Sequence, residues 1–130
     1  MKIRTITLSD RPPVKIDEDL WPILAQAKDA VDRRNGTPLP RDECAKWSLI
    51  VRQHADGRAI VYGVASAPGE GWPSHGASDW KGGELIPREV PVQAIVEAIK
   101  RVGGDMMALG GAPTSIVREC IADMPPEELK

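Results

Sequence analysis

The chain has 130 residues, 17 of them lysine or arginine and 19 aspartate or glutamate, for a formal charge of −2. That length suffices for one domain with its own hydrophobic core and no stapling by disulfide or metal, and two cysteines, Cys44 and Cys120, are too few for a disulfide scaffold. The balance of charge excludes a global pull toward nucleic acid or anionic membrane, and no apolar run after MKIRTITLSDRPP resembles a signal peptide or membrane span, so a cytoplasmic setting is expected.

Lys2 to Leu8 alternates in the manner of a strand, and Val14 to Ile16 offers a second extended piece after the break at Pro12-Pro13. A helix is expected from Asp17 or Asp19, where a carboxylate can cap free N–H groups. Leu20, Ile23, Leu24, Ala27 and Val31 then share a face, and Asn35-Gly36 ends it. Thr37 to Glu43, with Pro38 and Pro40, reads as a connector.

Lys46 to Ser66 reads as a β-hairpin. Asp56-Gly57 suits the two positive-φ positions of a type I′ turn, which would set Ala55 opposite Arg58 and Gln53 opposite Ile60. Trp47, Leu49 and Val51 would then share a buried face with Ile60, Tyr62 and Val64. The other face, with Ser48, Ile50, Arg52 and His54, would be lightly covered or partly open to water. A long glycine-rich segment, Ala67 to Gly83, follows, and Gly83 to Ile86 can return as a strand. From Pro91, the residues Val92, Ile95, Val96, Ile99 and Val102 repeat at helical spacing as far as Gly103-Gly104. Asp105 to Leu109 forms at most a further turn. Thr114 is placed to cap a last helix carrying Ile116, Val117, Cys120, Ile121 and Met124, which Pro125-Pro126 ends.

These elements predict an α+β fold, an antiparallel sheet of three or four strands with two or three helices packed on one face, over residues 1–130 as one domain. Phenylalanine is absent, so aliphatic side chains and four tryptophans must fill the interior.

Trp72 and Trp80, two amphipathic rings on a glycine-rich segment, are the first candidates for a contact surface, together with Ser74, His75, Asp79 and Lys81. The competing reading folds both rings back as covers over the sheet. Ser74, His75 and Asp79 supply the residue types of a nucleophile, base and orienting acid, but neighbours in sequence diverge, and Gly-Trp-Pro-Ser-His-Gly has one residue too many before the serine for a nucleophile elbow. No catalytic residue is assigned. Cys44, His54, His75 and Cys120 lack metal-ligand spacing, and the glycines at 103, 104, 110 and 111 follow a helix and carry no P-loop lysine, so neither a metal nor another cofactor is expected. Cys120 reads as a small core residue.

The stretches VRQHADGRAIVYGV, KGGELI and ECIADMPPEEL resemble segments of small proteins carried by bacterial phages, plasmids and integrated elements. The resemblance implies an accessory protein of a mobile element that acts by binding a host or element component. The expected function is therefore non-enzymatic binding of a protein partner through the hairpin and the Trp72 to Trp80 loop, with no membrane or nucleic-acid partner. The alternative is a small-molecule or nucleotide-binding protein, or a minor hydrolase, using Ser74, His75, Asp79 and Arg52. Self-association through the strand edge of Lys2 to Leu8 or Gly83 to Ile86 would make a homodimer.

Overall fold

The computed structural model describes residues 1–31, 33–34, 37–38, 45–66, 79–88, 91–127 and 129. The fold is α+β. Strands β1 (Ile3–Ile6) and β2 (Val14–Asp17) pair antiparallel as a small hairpin. Strand β3 (Ile23–Val31) leads to a short pair, β4 (Arg33–Arg34) and β5 (Thr37–Pro38). Then come β6 (Ala45–Gln53), β7 (Ala59–Ser66) and β8 (Trp80–Ile86), which with β3 make an antiparallel sheet in the order β3-β6-β7-β8. Helices α1 (Val92–Gly110) and α2 (Ser115–Ala122) both pack on one face of that sheet.

The expected helix from Asp17 is instead a tight turn followed by the edge strand β3. Asp17 Oδ1 accepts the Asp19 N–H, its carbonyl accepts the N–H groups of Leu20 and Trp21, and Gln53 N–H donates to Pro22 O as the ladder begins. Along β3 the buried positions are Ala25 and Ala27, opposite Val51 and Leu49, so the operative period is two. Packing against β6 and α2 overrides the helix propensity of an alanine-rich segment. The Asn35-Gly36 stop falls outside the described residues.

The β6–β7 hairpin is present, but its register differs by one residue from the expected one. His54 N–H donates to Arg58 O at 2.9 Å and Gly57 N–H to His54 O at 3.0 Å, closing a three-residue loop with Gly57 at φ 98°. Gln53 therefore pairs with Ala59, Val51 with Val61 and Trp47 with Ala65. A slip of one residue exchanges faces on one strand. Trp47, Leu49 and Val51 meet the helices as expected, but in company with Val61 and Ala65, whereas Ile60 and Tyr62 lie on the opposite face.

That second face is covered. Ile6, Leu8, Ile16 and Trp21, from the β1–β2 hairpin and the turn before β3, pack on Ile50, Ile60 and Tyr62. Arg52, the one buried charged residue among those described, stands in this layer. Its Nε donates to Tyr62 Oη at 2.9 Å, its Nη1 donates to Trp21 O at 3.0 Å, and its Nη2 lies 3.5 Å from Glu18 Oε1. Both outer edges of the sheet carry local partners. Gln26 N–H donates to Asp123 Oδ2 and Ala30 N–H to Asp29 Oδ1, while Gly83 exchanges hydrogen bonds with Ser9. A second copy pairing at Gly83 to Ile86 would have to displace Ser9.

Helix α1 does not stop at Gly103-Gly104 but runs on to Gly110 and ends at Gly111, φ 71°, where the N–H groups of Gly111 and Ala112 both return to Met106 O. Thr114 occupies the N-cap position of α2 without a side-chain capping bond. Cys120 is fully buried with its thiol 3.8 Å from Leu49 O, and burial pushes its pKa up to about 12.

The two interior glycines of α1 separate packing from propensity. A Cβ on Gly103 would fall 2.3 Å from Val117 Cγ2 and 3.3 Å from Leu49 Cδ2, while a Cβ on Gly104 meets nothing within 4 Å. Gly103→Ala is expected to lose about 1–3 kcal/mol through overpacking. Gly104→Ala should gain about 0.5–1 kcal/mol from helix propensity. Urea melts of the two variants check this. Equal effects would mean that α1 and α2 do not meet at Gly103.

Candidate functional site

Of the contact residues singled out from sequence, Asp79, Trp80 and Lys81 fall at one end of the sheet. Trp72, Ser74 and His75 lie outside the described residues. Asp79 and Lys81 are exposed, and Trp80 opens β8 half-buried. The Trp80 ring packs over glycines: a Cβ on Gly82 would stand 2.5 Å from its Cζ2, and one on Gly63 3.0 Å from its Cζ3. Trp80 also joins the helix-side core. Among the described residues, Ala65, Ser66, Asp79, Trp80 and Lys81 line a cavity of about 440 Å³ at this end.

The β6–β7 tip lies at the opposite end. Strand β7 runs for 8 residues between the tip and Ser66, about 25 Å at the usual rise per residue. Tip and Trp80 therefore belong to separate surfaces. Arg52 is near the tip and Asp79 is not, since Arg52 pairs with Ile60 whereas Trp80 pairs with Ala65. The structure does not bring together Arg52 and Asp79, which sequence had grouped for ligand binding.

The tip is built from short-range polar bonds. His54 Nδ1 accepts the Asp56 N–H at 3.0 Å, and Asp56 Oδ1 accepts the Arg58 N–H at 3.0 Å, an arrangement in which side chains replace the backbone partners that a three-residue loop lacks. Asp56 also receives the Arg58 guanidinium at 2.9 Å and that of Arg88 at 3.3 Å. Trp21 anchors the tip to the second face. The His54 ring meets it edge-on with centroids 5.2 Å apart, and the Arg58 guanidinium lies 5.0 Å over its ring.

Between the tip and β3 lies a cleft of about 560 Å³. Its origin is a bulge. Ile23 pairs with Arg52 and Ala25 with Val51, so Leu24 is an extra residue on β3 and the strand bends away from the hairpin. Leu20, Pro22, Ile23 and Leu24 make one wall; Gln53, His54 and Ala55 make the other, with Asp19 at the lip. Leu20 and Ile23 are 57% and 43% exposed. Reasoning from sequence missed this cleft, because it placed Leu20, Ile23 and Leu24 on the buried face of a helix. The available signal was the short spacing of Asp17, Asp19 and Pro22, which suits a turn.

No helix among the described residues is long and apolar enough to cross a membrane. Comparison with known proteins finds no family model, no curated protein and no solved structure that matches the chain.

The tip has a pH signature. Partial desolvation pushes the Asp56 carboxyl up, but the Arg58 N–H, the Arg58 guanidinium and His54 outweigh it and leave the group below its ordinary 3.8. A carboxylate whose folded pKa is depressed adds stability that is complete above its unfolded value and lost as pH falls through the folded one. The stability difference between wild type and Asp56→Asn is expected to be constant above about pH 5 and to close toward pH 2. Chemical denaturation across that range measures it. A difference that persists unchanged in acid would place the role of Asp56 in neutral hydrogen bonding alone.

Proposed function

We propose that the chain is a protein-binding module, an accessory protein of a bacterial mobile element, and that the cleft beside the β6–β7 tip is its contact surface. The observation that carries the binding surface is the cleft itself, with Leu20 and Ile23 both exposed along one wall. Single exposed aliphatic residues are ordinary, but two on the wall of one concave site leave apolar area that a partner's side chain can bury. At about 25 cal/mol per Å², covering such a wall yields useful binding energy without any ordering of the loop and strand that form it. The mobile-element setting rests on the resemblance of VRQHADGRAIVYGV, KGGELI and ECIADMPPEEL.

Polar groups at the tip favour recognition over bond-making. His54 and Asp56 are engaged with each other and with Arg58 and Arg88, which holds the rim in shape. The small-molecule reading draws less support, because Arg52 spends its guanidinium on Tyr62, Trp21 and Glu18 and is 6% exposed.

Leu20→Ser and Ile23→Ser, alone and together, are expected to leave stability within about 0.5 kcal/mol, as exposed substitutions usually do. A protein captured by the wild type from a lysate of a bacterium carrying the element should be lost by the double variant, and the loss should recur with the two purified components. Equal capture by both would remove the cleft from the interface, and no capture by either would count against the protein-binding reading.

A further inference from the structure

We infer that the segment occupying the tip cleft carries a large apolar side chain next to a lysine or arginine; this rests on the protein-binding reading above. The argument is one of charge accounting around the cleft. Glu18 is paired with Arg4 and with Arg52, and Asp56 with Arg58 and Arg88. Asp17 turns its carboxylate onto the Asp19 N–H. The Asp19 carboxylate stands exposed at the lip with no hydrogen bond or ion pair to any described residue. Among the described residues lining the cleft it is the one Asp, Glu, Lys or Arg.

An occupant of the cleft meets the apolar side chains of Leu20, Ile23 and Leu24 and the Asp19 carboxylate in one site. An acidic neighbour would meet a like charge as water is excluded, whereas a cation would form a charge-assisted hydrogen bond with a carboxylate that nothing else occupies. The lip is also held in place before binding. The Asp17 carbonyl receives the Leu20 and Trp21 N–H groups, so the backbone that carries Asp19 is ordered before a partner's cation arrives. The cleft is bounded by exposed side chains on its β3 wall, which suits a side chain projecting from a partner's surface more than an enclosed small molecule.

The test is selection of a displayed library of random peptides on the wild-type protein, followed by affinity measurement of the selected peptides by fluorescence anisotropy. Peptides with an apolar residue beside a lysine or arginine should dominate. Asp19→Asn should weaken them at least about tenfold. Asp19→Lys should reverse the selected neighbour from basic to acidic, and Ile23→Ser should weaken them as well. Neither side chain bonds within the described fold, so thermal melts of these variants should match the wild type. Peptides that depend on Ile23 but bind both Asp19 variants unchanged would overturn the inference and leave the protein-binding reading standing. Peptides insensitive to Ile23 and Asp19 alike, or a selection that enriches nothing, would overturn both.

Discussion

The closing hydrogen bond of the three-residue loop, His54 N–H to Arg58 O at 2.9 Å, decides which residues of β6 and β7 face the helices. A two-residue loop would place Val64 where Gly63 now stands, opposite the helix-facing Leu49. There is no room for it. A mere Cβ at Gly63 would come within 3.0 Å of the Trp80 ring and 3.1 Å of Met106 Sδ. The same register sends Tyr62 to the second face, where its hydroxyl accepts a bond from Arg52. Turn chemistry at residues 54–58 and the close approach of α1 at Gly63 thus require the same pairing, and that agreement between levels makes a register unique.

Each face then solves a different problem. On the helix side, small residues permit close packing: Gly63 and Gly82 make room for the Trp80 ring, Gly63 also for Met106 of α1, Gly103 lies against Val117 of α2, and Gly110 against Ala65. Trp47 completes this layer with its indole N–H on Gly110 O at 2.8 Å, which satisfies a carbonyl at the end of α1. On the other side the β1–β2 hairpin meets the main sheet mostly through side chains, with Ser9 and Gly83 supplying backbone contact. Apolar packing alone is non-directional. Arg52 adds direction, because its bonds reach the sheet at Tyr62 and the covering layer at Trp21 and Glu18 together. Removing one of these partners would leave a donor of the buried guanidinium unsatisfied, which costs more than losing a hydrogen bond at the surface.

What was legible in the sequence follows from which interactions are local. The alternation of β1 and β2, the hairpin strands and the start of α1 rest on periodicity within one element, and the structure has them. Strand β3 was misread because Leu20, Ile23, Leu24, Ala27 and Val31 fit a helical face while its true pattern, Ala25 and Ala27 inward, uses residues with little hydrophobic contrast. The end of α1 was misread for the opposite reason. Two adjacent glycines signal a stop locally, yet Gly103 is there so that α2 can approach, a contact of long sequence separation. Register was off by one because Asp-Gly supports both a two-residue and a three-residue loop, and the side chains of His54 and Asp56 favour the longer. Of the contact residues singled out from sequence, the structure describes Asp79, Trp80 and Lys81, and it gives Trp80 a packing role.

The tip cleft was hidden from sequence because it is made by disagreement between strands and not by a motif. One extra residue on β3 and one extra residue in the β6–β7 loop both displace backbone at the same end of the sheet, and the space between the two displacements is the cleft. Bulges and three-residue loops bend and twist the strands that carry them. The bend would be free to relax if the tip were loose. It is tied down on its far side by Trp21, held between His54 and Arg58, and on its near side by the bond from Gln53 N–H to Pro22 O. A concave apolar site with both walls fixed from behind loses little entropy when it is filled, which is the condition under which a small contact area can still give specific binding.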